Sequence, residues 1–436
     1  MCEMITEKES VMKMKKVMAL VLTGMLTVGL IGCGISGNSE GKDSGEQKAG
    51  GGKVKLKFYD WSDEKAYLDP LVEAYNAQSD VAEVEVEYFA PTEYAEKILT
   101  SFSSGVEFDI LGVNGVSFYG EYQNKHVLQE ITDYVENDKL DTSVYGKVFE
   151  QSNPDGIYGL PYRQSIWLVY INEELFKEAG LEIPTEQLTW SEYRDLAKQL
   201  TDDDTYGGLV GMDNYVLMQQ LGGSVMDEDT SIIRENLELW KELHEDGSHV
   251  PFEEKLELGQ NAGSLFTTAP AETVAMFMNG TWGITSYNQK IKDGEMPFQY
   301  RVMPMPVPDG EEEYSAPCGM NFLSVSKTSK HPEEAYDFIK FACTYEGANI
   351  IAETGTLTAY SDDKVKETYL KAANQSDDML SKIVFSGNNV IEQKYDPNYT
   401  KVETILTEEM ELYMIGEQDL DTTMKNFEER RAEILK

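Results

Sequence analysis

The stretch from Val54 to Val113 constrains the fold most, because two periodicities alternate along it. Val54-Lys55-Leu56-Lys57-Phe58-Tyr59 places apolar side chains at every second position, the period of a half-buried strand. Asp60-Trp61-Ser62 follows, with Ser62 able to cap a helix through Tyr75 and Pro70 set to bend or break it. Val84, Val86 and Tyr88 alternate with Glu83, Glu85 and Glu87, which reads as a second strand with one solvated face. Thr92 to Ser103 returns to helical spacing, with Tyr94, Ile98, Leu99 and Phe102 on one side, and Phe108 to Val113 is a buried third strand. This order predicts an α/β layer on a largely parallel sheet. In open sheets of that kind, ligands sit beyond the carboxyl ends of the strands, which directs attention to the loops at Trp61 and Asn114.

The segment ahead of this layer has a different grammar. Lys15-Lys16 precedes an almost unbroken apolar run from Val17 to Ile31, and Cys33 follows Leu30-Ile31-Gly32. A basic start, a short apolar core and a small residue mark a secretory signal, and the run is shorter than the roughly 18–20 residues of a bilayer-spanning helix. Leu-x-Gly-Cys resembles the bacterial lipobox, which implies cleavage before Cys33 and its acylation; the alternative is an ordinary signal with an incidental cysteine. Several acyl chains anchor a protein because each buried CH₂ contributes about 0.8 kcal/mol. Residues 1–32 are therefore a signal peptide, with Met12 and Met14 as alternative starts, and residues 33–52 are the lipidated cysteine and a Gly-rich tether. The protein is expected on the extracellular face of the cytoplasmic membrane, held by that anchor.

Bulk charge excludes one class of partner. The chain has 37 basic and 78 acidic residues and a formal net charge of −41, so nucleic acid is not an expected partner. Beyond Cys2 and Cys33 the cysteines are Cys318 and Cys343, open to one disulfide or to two free thiols, and without zinc-site spacing. Asp202-Asp203-Asp204-Thr205-Tyr206-Gly207 with Asp213 partly imitates a calcium loop, but Tyr206 occupies a ligand position and the bidentate Glu is absent. It reads as a solvated turn. The four histidines are scattered, no HExxH, GxSxG or Walker sequence occurs, and close acid pairs are expected by chance among 78 carboxylates. No enzyme activity, catalytic residue, metal or cofactor is expected.

The most specific text begins at residue 157. Ile157-Tyr158-Gly159-Leu160-Pro161-Tyr162 leads into Trp167-Leu168-Val169-Tyr170-Ile171-Asn172 and then Glu173-Glu174-Leu175-Phe176-Lys177-Glu178-Ala179-Gly180. Thr189-Trp190-Ser191-Glu192 is a capping box opening the next helix, while Trp190 and Trp240 read as core. Further on come Val274-Ala275-Met276-Phe277-Met278-Asn279-Gly280-Thr281-Trp282, Tyr300-Arg301-Val302-Met303-Pro304-Met305-Pro306 and Gly319-Met320-Asn321-Phe322-Leu323-Ser324-Val325-Ser326-Lys327. In that order the segments resemble the extracellular solute-binding proteins of ABC importers, in the sugar-binding group related to maltose-binding protein. The resemblance spans about residues 54–436. Two departures stand out: Cys318 where the family often has Gly, and Ile171 where it often has Tyr.

The resemblance implies a two-lobed α/β fold of the periplasmic-binding-protein type II class, with the ligand between the lobes. Lobe one would take residues 53–157 plus 302–345, and lobe two 162–298 plus 346–436, with crossovers near Gly159, Arg301 and Tyr345. It further implies a monomer that captures a carbohydrate, an oligosaccharide by preference, and delivers it to the membrane permease. The other reading is a surface lipoprotein that binds a non-sugar solute or serves in sensing or adhesion. Sugars are held by aromatic faces and planar polar groups. On that chemistry the expected stacking residues are Trp61, Tyr162 and Trp282, and the expected hydroxyl partners are Asp60, Asn114, Arg163 and Asn321.

Overall fold

The computed structural model describes residues 52–210, 216–257, 273–311, 315–374, 378–385 and 389–436. The signal peptide, Cys33, the tether and Asp213 lie outside them. Among the described residues nine strands are formed: β1 Val54–Trp61, β2 Ala82–Phe89, β3 Ile110–Val113, β4 Gly159–Asn172, β5 Tyr206–Leu209, β6 Val274–Gly280, β7 Tyr300–Pro304, β8 Pro317–Val325 and β9 Val390–Ile391. The strand order is β2-β1-β3-β8-β4-β6-β5, with β7 on β4 and β9 on β8.

The first layer follows its sequence pattern. β1 pairs parallel with β2 and with β3, and helices Lys65–Gln78 and Pro91–Ser103 fill the two connections. Two local expectations change. Ser62 opens a short 3-10 turn and makes no capping bond, and the α-helix behind it runs through Pro70. Pro70 sits in the second turn, where a missing N–H removes one hydrogen bond and the rest of the helix continues. Beyond β3 the sheet becomes mixed: β8 runs antiparallel to both β3 and β4, whereas β5 with β6 and β8 with β9 are parallel pairs.

β4 is the strand that joins the two halves. Residues 159–166 pair with β8, whereas 167–172 pair with β6 and β7. Two hydrophobic cores follow this division. One gathers Leu56, Phe58, Ile98, Ile110, Leu160, Phe322 and Phe338; the other gathers Leu168, Tyr170, Trp240, Met276, Val302, Val402 and Phe427. Trp190 and Trp240 are buried in the second core, 5.0 Å apart between ring centroids. The Thr189 capping box is present with both its bonds, Glu192 N–H to Thr189 Oγ1 at 3.2 Å and Thr189 N–H to Glu192 Oε2 at 2.9 Å.

The packing moves the anticipated lobe boundaries. Val302, Met303, Met305, Ala316 and Cys318 pack in the second core although the sequence placed 302–345 with lobe one. Tyr162 packs in the first core although it was placed with lobe two. The reason is pairing: β7 hydrogen-bonds to the far half of β4, and the near half of β4 carries Tyr162. Cys318 and Cys343 are buried free thiols.

Candidate ligand-binding site

The candidate site lies where β4 passes from one core to the other. A register shift separates Pro161 from Arg163, and beyond it β4 pairs regularly with β8, Arg163 opposite Asn321 and Ser165 opposite Gly319. Strand alternation then puts Arg163, Ser165 and Trp167 on one face.

Arg163 is held in a charge cluster. Its Nε and Nη2 donate to the two oxygens of Glu64 at 2.9 and 2.6 Å, a bidentate pair in which Glu64 is 1% and Arg163 8% exposed. The guanidinium also lies 5.8 Å from the Tyr67 ring centroid. The Tyr162 hydroxyl donates to the same Glu64 carboxylate. Asp60 is fully buried next to this pair and accepts the Trp61 N–H at 2.8 Å through Oδ1, while Oδ2 has no partner. Burial and the adjacent Glu64 charge push the Asp60 carboxyl well above its usual range. Held as the acid, that group can donate as well as accept.

The β3 side contributes through its carboxyl end. Asn114 is exposed in the position that precedes helix Gly115–Asn124 and makes no capping bond with its side chain. The next amide, Gly115 N–H, donates to Asn321 Oδ1 at 3.1 Å, so Asn321 is fixed by its oxygen while its Nδ2 is left without a partner.

Trp282 provides the aromatic wall. It is 38% exposed, and its ring meets Trp167 edge to face with centroids 5.0 Å apart. A Cβ at Gly280 would overlap the Trp282 ring, which explains the glycine two residues before the tryptophan. The Trp167 indole nitrogen is buried and faces the Glu392 carboxylate.

Glu392 completes the cluster. It directly follows β9, its backbone N–H donates to Cys318 C=O at 3.0 Å, and its carbonyl accepts from Gln219 Nε2. Its carboxylate lies against Gly319, as does the Ser165 hydroxyl, so a Cβ at Gly319 would collide with both. Burial pushes the Glu392 carboxyl up to about 7, against the lowering influence of Trp167 and Arg163. Glu403, bridged to Ser117 by Gln393, is likewise pushed up by burial to about 7.

Of the seven residues expected from sequence, Asp60, Arg163 and Asn321 therefore meet in one cluster, with Asn114 at its β3 edge and Trp282 at its Trp167 edge. Two are corrected. Trp61 is buried and packs on Tyr94 at 5.3 Å, and Tyr162 is buried with its hydroxyl committed to Glu64, so neither offers a free ring face here. Sequence reasoning missed Glu64, Trp167 and Glu392. Trp167 was within reach, since it stands four residues beyond Arg163 on the same strand face. Glu64 and Glu392 carry no local signal.

This set of groups can bind a neutral, hydroxyl-rich molecule. It offers unpartnered donors and acceptors at Asp60, Asn321 and Gln219, and an exposed indole face at Trp282. Each buried polar atom left unpaired costs about 1–3 kcal/mol, which a ligand hydroxyl would relieve.

Comparison with known proteins agrees with the fold. Residues 60–349 match the family described as bacterial extracellular solute-binding protein. The arabinooligosaccharide-binding protein of Bacillus subtilis is 22% identical over 357 residues, covering 78% of each chain. A sugar transporter from Rhizobium etli, solved in an open conformation, superposes with a TM-score of 0.74 at 26% identity, covering 87% of this chain and 99% of that one. An ABC substrate-binding protein from Listeria monocytogenes, solved with cycloalternan, gives a TM-score of 0.76 at 24% identity over 88% of this chain and 99% of that one.

Proposed function

The chain belongs to the bacterial extracellular solute-binding protein family, and from that premise we propose that it captures a carbohydrate, by preference an oligosaccharide, at the Arg163–Trp282 site and hands it to an ABC permease. The observation that carries this reading is the convergence of unpartnered buried polar atoms with one exposed tryptophan face at the junction of the two cores. The names of relatives that bind arabinooligosaccharides support the substrate class.

Roles follow from the geometry. Trp282, braced by Trp167, stacks on the apolar C–H face of a sugar ring. Asp60, Asn114, Asn321 and Glu392 take hydroxyls. Arg163 is neutralised by Glu64 and positions the floor of the site. Because the Arg163 guanidinium is already committed to Glu64, the site offers an anionic sugar no uncommitted cation among its described residues, which disfavours uronates. Ligand contact with both cores favours a closed arrangement, and only the difference in affinity between closed and open states can drive closure. The chain needs no nucleotide site in this scheme, because import draws its energy from a separate ATPase. Acylation at Cys33 keeps the protein beside the permease as a membrane-held monomer.

A thermal-shift screen against neutral mono- and oligosaccharides tests the reading. A ligand at 100 times its Kd stabilises the protein by about 2.7 kcal/mol, a visible rise in Tm. A sugar-dependent rise that disappears in Trp282→Ala is the expected result. A response to peptides or amines with none to any sugar would overturn the carbohydrate assignment and leave the family intact.

A further inference from the structure

The opposite face of β4 borders a second concavity. Gln164, between Arg163 and Ser165, lines a cavity of about 340 Å3 whose other walls are residues 143–146, 357–361, the helix Asp363–Ala373, and Val384, Phe385 and Asn389. That size falls in the range of about 300–1,000 Å3 usual for small-molecule sites. Tyr145 and Ala359 belong to the first core, and Val365, Tyr369 and Val384 to the second, so a bound molecule would touch both. None of the Arg163–Trp282 site residues lines it.

Its charge is inverted relative to the chain. In a protein of net charge −41, the described lining residues include one ammonium, Lys366, and no carboxylate. The nearby acids are turned to other work. Asp141 accepts from Ser143 N–H and Oγ, at 3.0 and 2.6 Å. Asp362 caps its helix through Lys364 N–H and Val365 N–H, at 2.9 and 3.3 Å. Asp363 reaches Lys366 only at 4.0 Å, with its side chain fully exposed. The Lys366 ammonium stands 5.1 Å from the Phe385 ring centroid, and among the described residues Asp363 at 4.0 Å is its one ion-pair partner. Two lining residues also carry buried polar atoms without hydrogen-bond partners, the hydroxyl of Tyr369, which is 1% exposed, and Oδ1 of Asn389.

We propose that this cavity is a second binding site, for a small hydroxylated monocarboxylate of the sugar-acid class. The carboxylate pairs with Lys366, hydroxyls bond to Asn389 Oδ1 and Tyr369 Oη, and the carbon skeleton lies against Phe385 and Tyr360. The site is chemically the inverse of the acid-rich one on the other face of the strand, so the two select ligands of different charge.

Titration calorimetry of the protein at low ionic strength, with D-gluconate as probe and D-glucitol as its uncharged counterpart, tests this. Saturable binding of one gluconate is expected, at least about tenfold tighter than glucitol. Lys366→Gln, and Ser361→Trp placed on the exposed rim to fill the cavity, should each weaken gluconate by about tenfold or more. Trp282→Ala should leave gluconate affinity unchanged. Absence of saturable gluconate binding to the unaltered protein overturns the proposal, as does binding that survives both Lys366→Gln and Ser361→Trp. Loss in Trp282→Ala would overturn it by assigning gluconate to the other site. Failure of the neutral-sugar screen alone would leave this result standing, so the two sites are tested separately.

Discussion

The two faces of β4 differ more than their one-residue spacing suggests. On one, Arg163, Ser165 and Trp167 meet Glu64, Asn321, Glu392 and Trp282, and the buried Arg163–Glu64 ion pair lies at its centre. On the other, Gln164 borders a cavity with a single ammonium and no described carboxylate. A strand shared by two cores can thus offer two unrelated chemistries, because successive side chains point to opposite sides. The first face rests on a buried ion pair and is costly to disturb; the second has no buried ion pair among the described lining residues.

That contrast can be broken most forcefully at Arg163. Arg163→Met would leave Glu64 buried and unpaired, and breaking such a pair typically costs about 3–5 kcal/mol. Denaturant unfolding should show this, and Arg163→Met combined with Glu64→Gln should recover much of the loss. Gln164→Met on the opposite face should change stability by less than about 1.5 kcal/mol in the same assay. Gly280→Ala tests the aromatic wall: the new methyl must displace the Trp282 ring, with an expected cost of about 1–3 kcal/mol and a change in tryptophan emission. Trp282→Ala, by contrast, should cost little stability because the ring is partly exposed, while sugar affinity falls by roughly tenfold or more in calorimetry.

The smallest expected effect sharpens the comparison through pH. Burial raises the folded-state pKa of Glu392 and Glu403 to about 7, above the ordinary value for Glu. The folded protein then holds protons that the unfolded chain has released, so this contribution is present at acid pH and lost as pH rises through 7. His249, pushed down to about 3 by burial, acts in the opposite sense: its contribution is present above its ordinary pKa and lost as pH falls toward 3. Glu392→Gln should match the parent Tm near pH 5 and exceed it by a small margin at pH 8. Equal pH profiles for the two proteins would show that Glu392 does not titrate between those values.

Much of the fold was readable because it is local. The period-two runs of β1 and β2, the helical spacing of 91–103 and the Thr189-x-x-Glu192 cap each depend on residues a few positions apart. Family-like segments singled out Trp282 and Asn321 as candidates in the same way. The aromatic choices went astray where local text is ambiguous. Trp61 sits at the end of β1 whether it faces solvent or Tyr94, and only the packing of helix Pro91–Ser103 decides. Tyr162 turned inward because β4 shifts register beside it, which brings its hydroxyl and the Arg163 guanidinium onto one carboxylate.

Glu64 and Glu392 show where sequence ends. Arg163 and Glu64 are 99 positions apart, and nothing about one of 78 acidic residues singles out the one that will be buried beside a guanidinium. The sequence alone determined the local segments that read as strands and helices and the net charge of −41, because period and net charge are sums over neighbours or over composition. Tertiary structure decided which carboxylates enter the site, which rings face outward and where the two cores divide. Those outcomes depend on desolvation and on pairing between distant strands, and both exist only once the chain has folded.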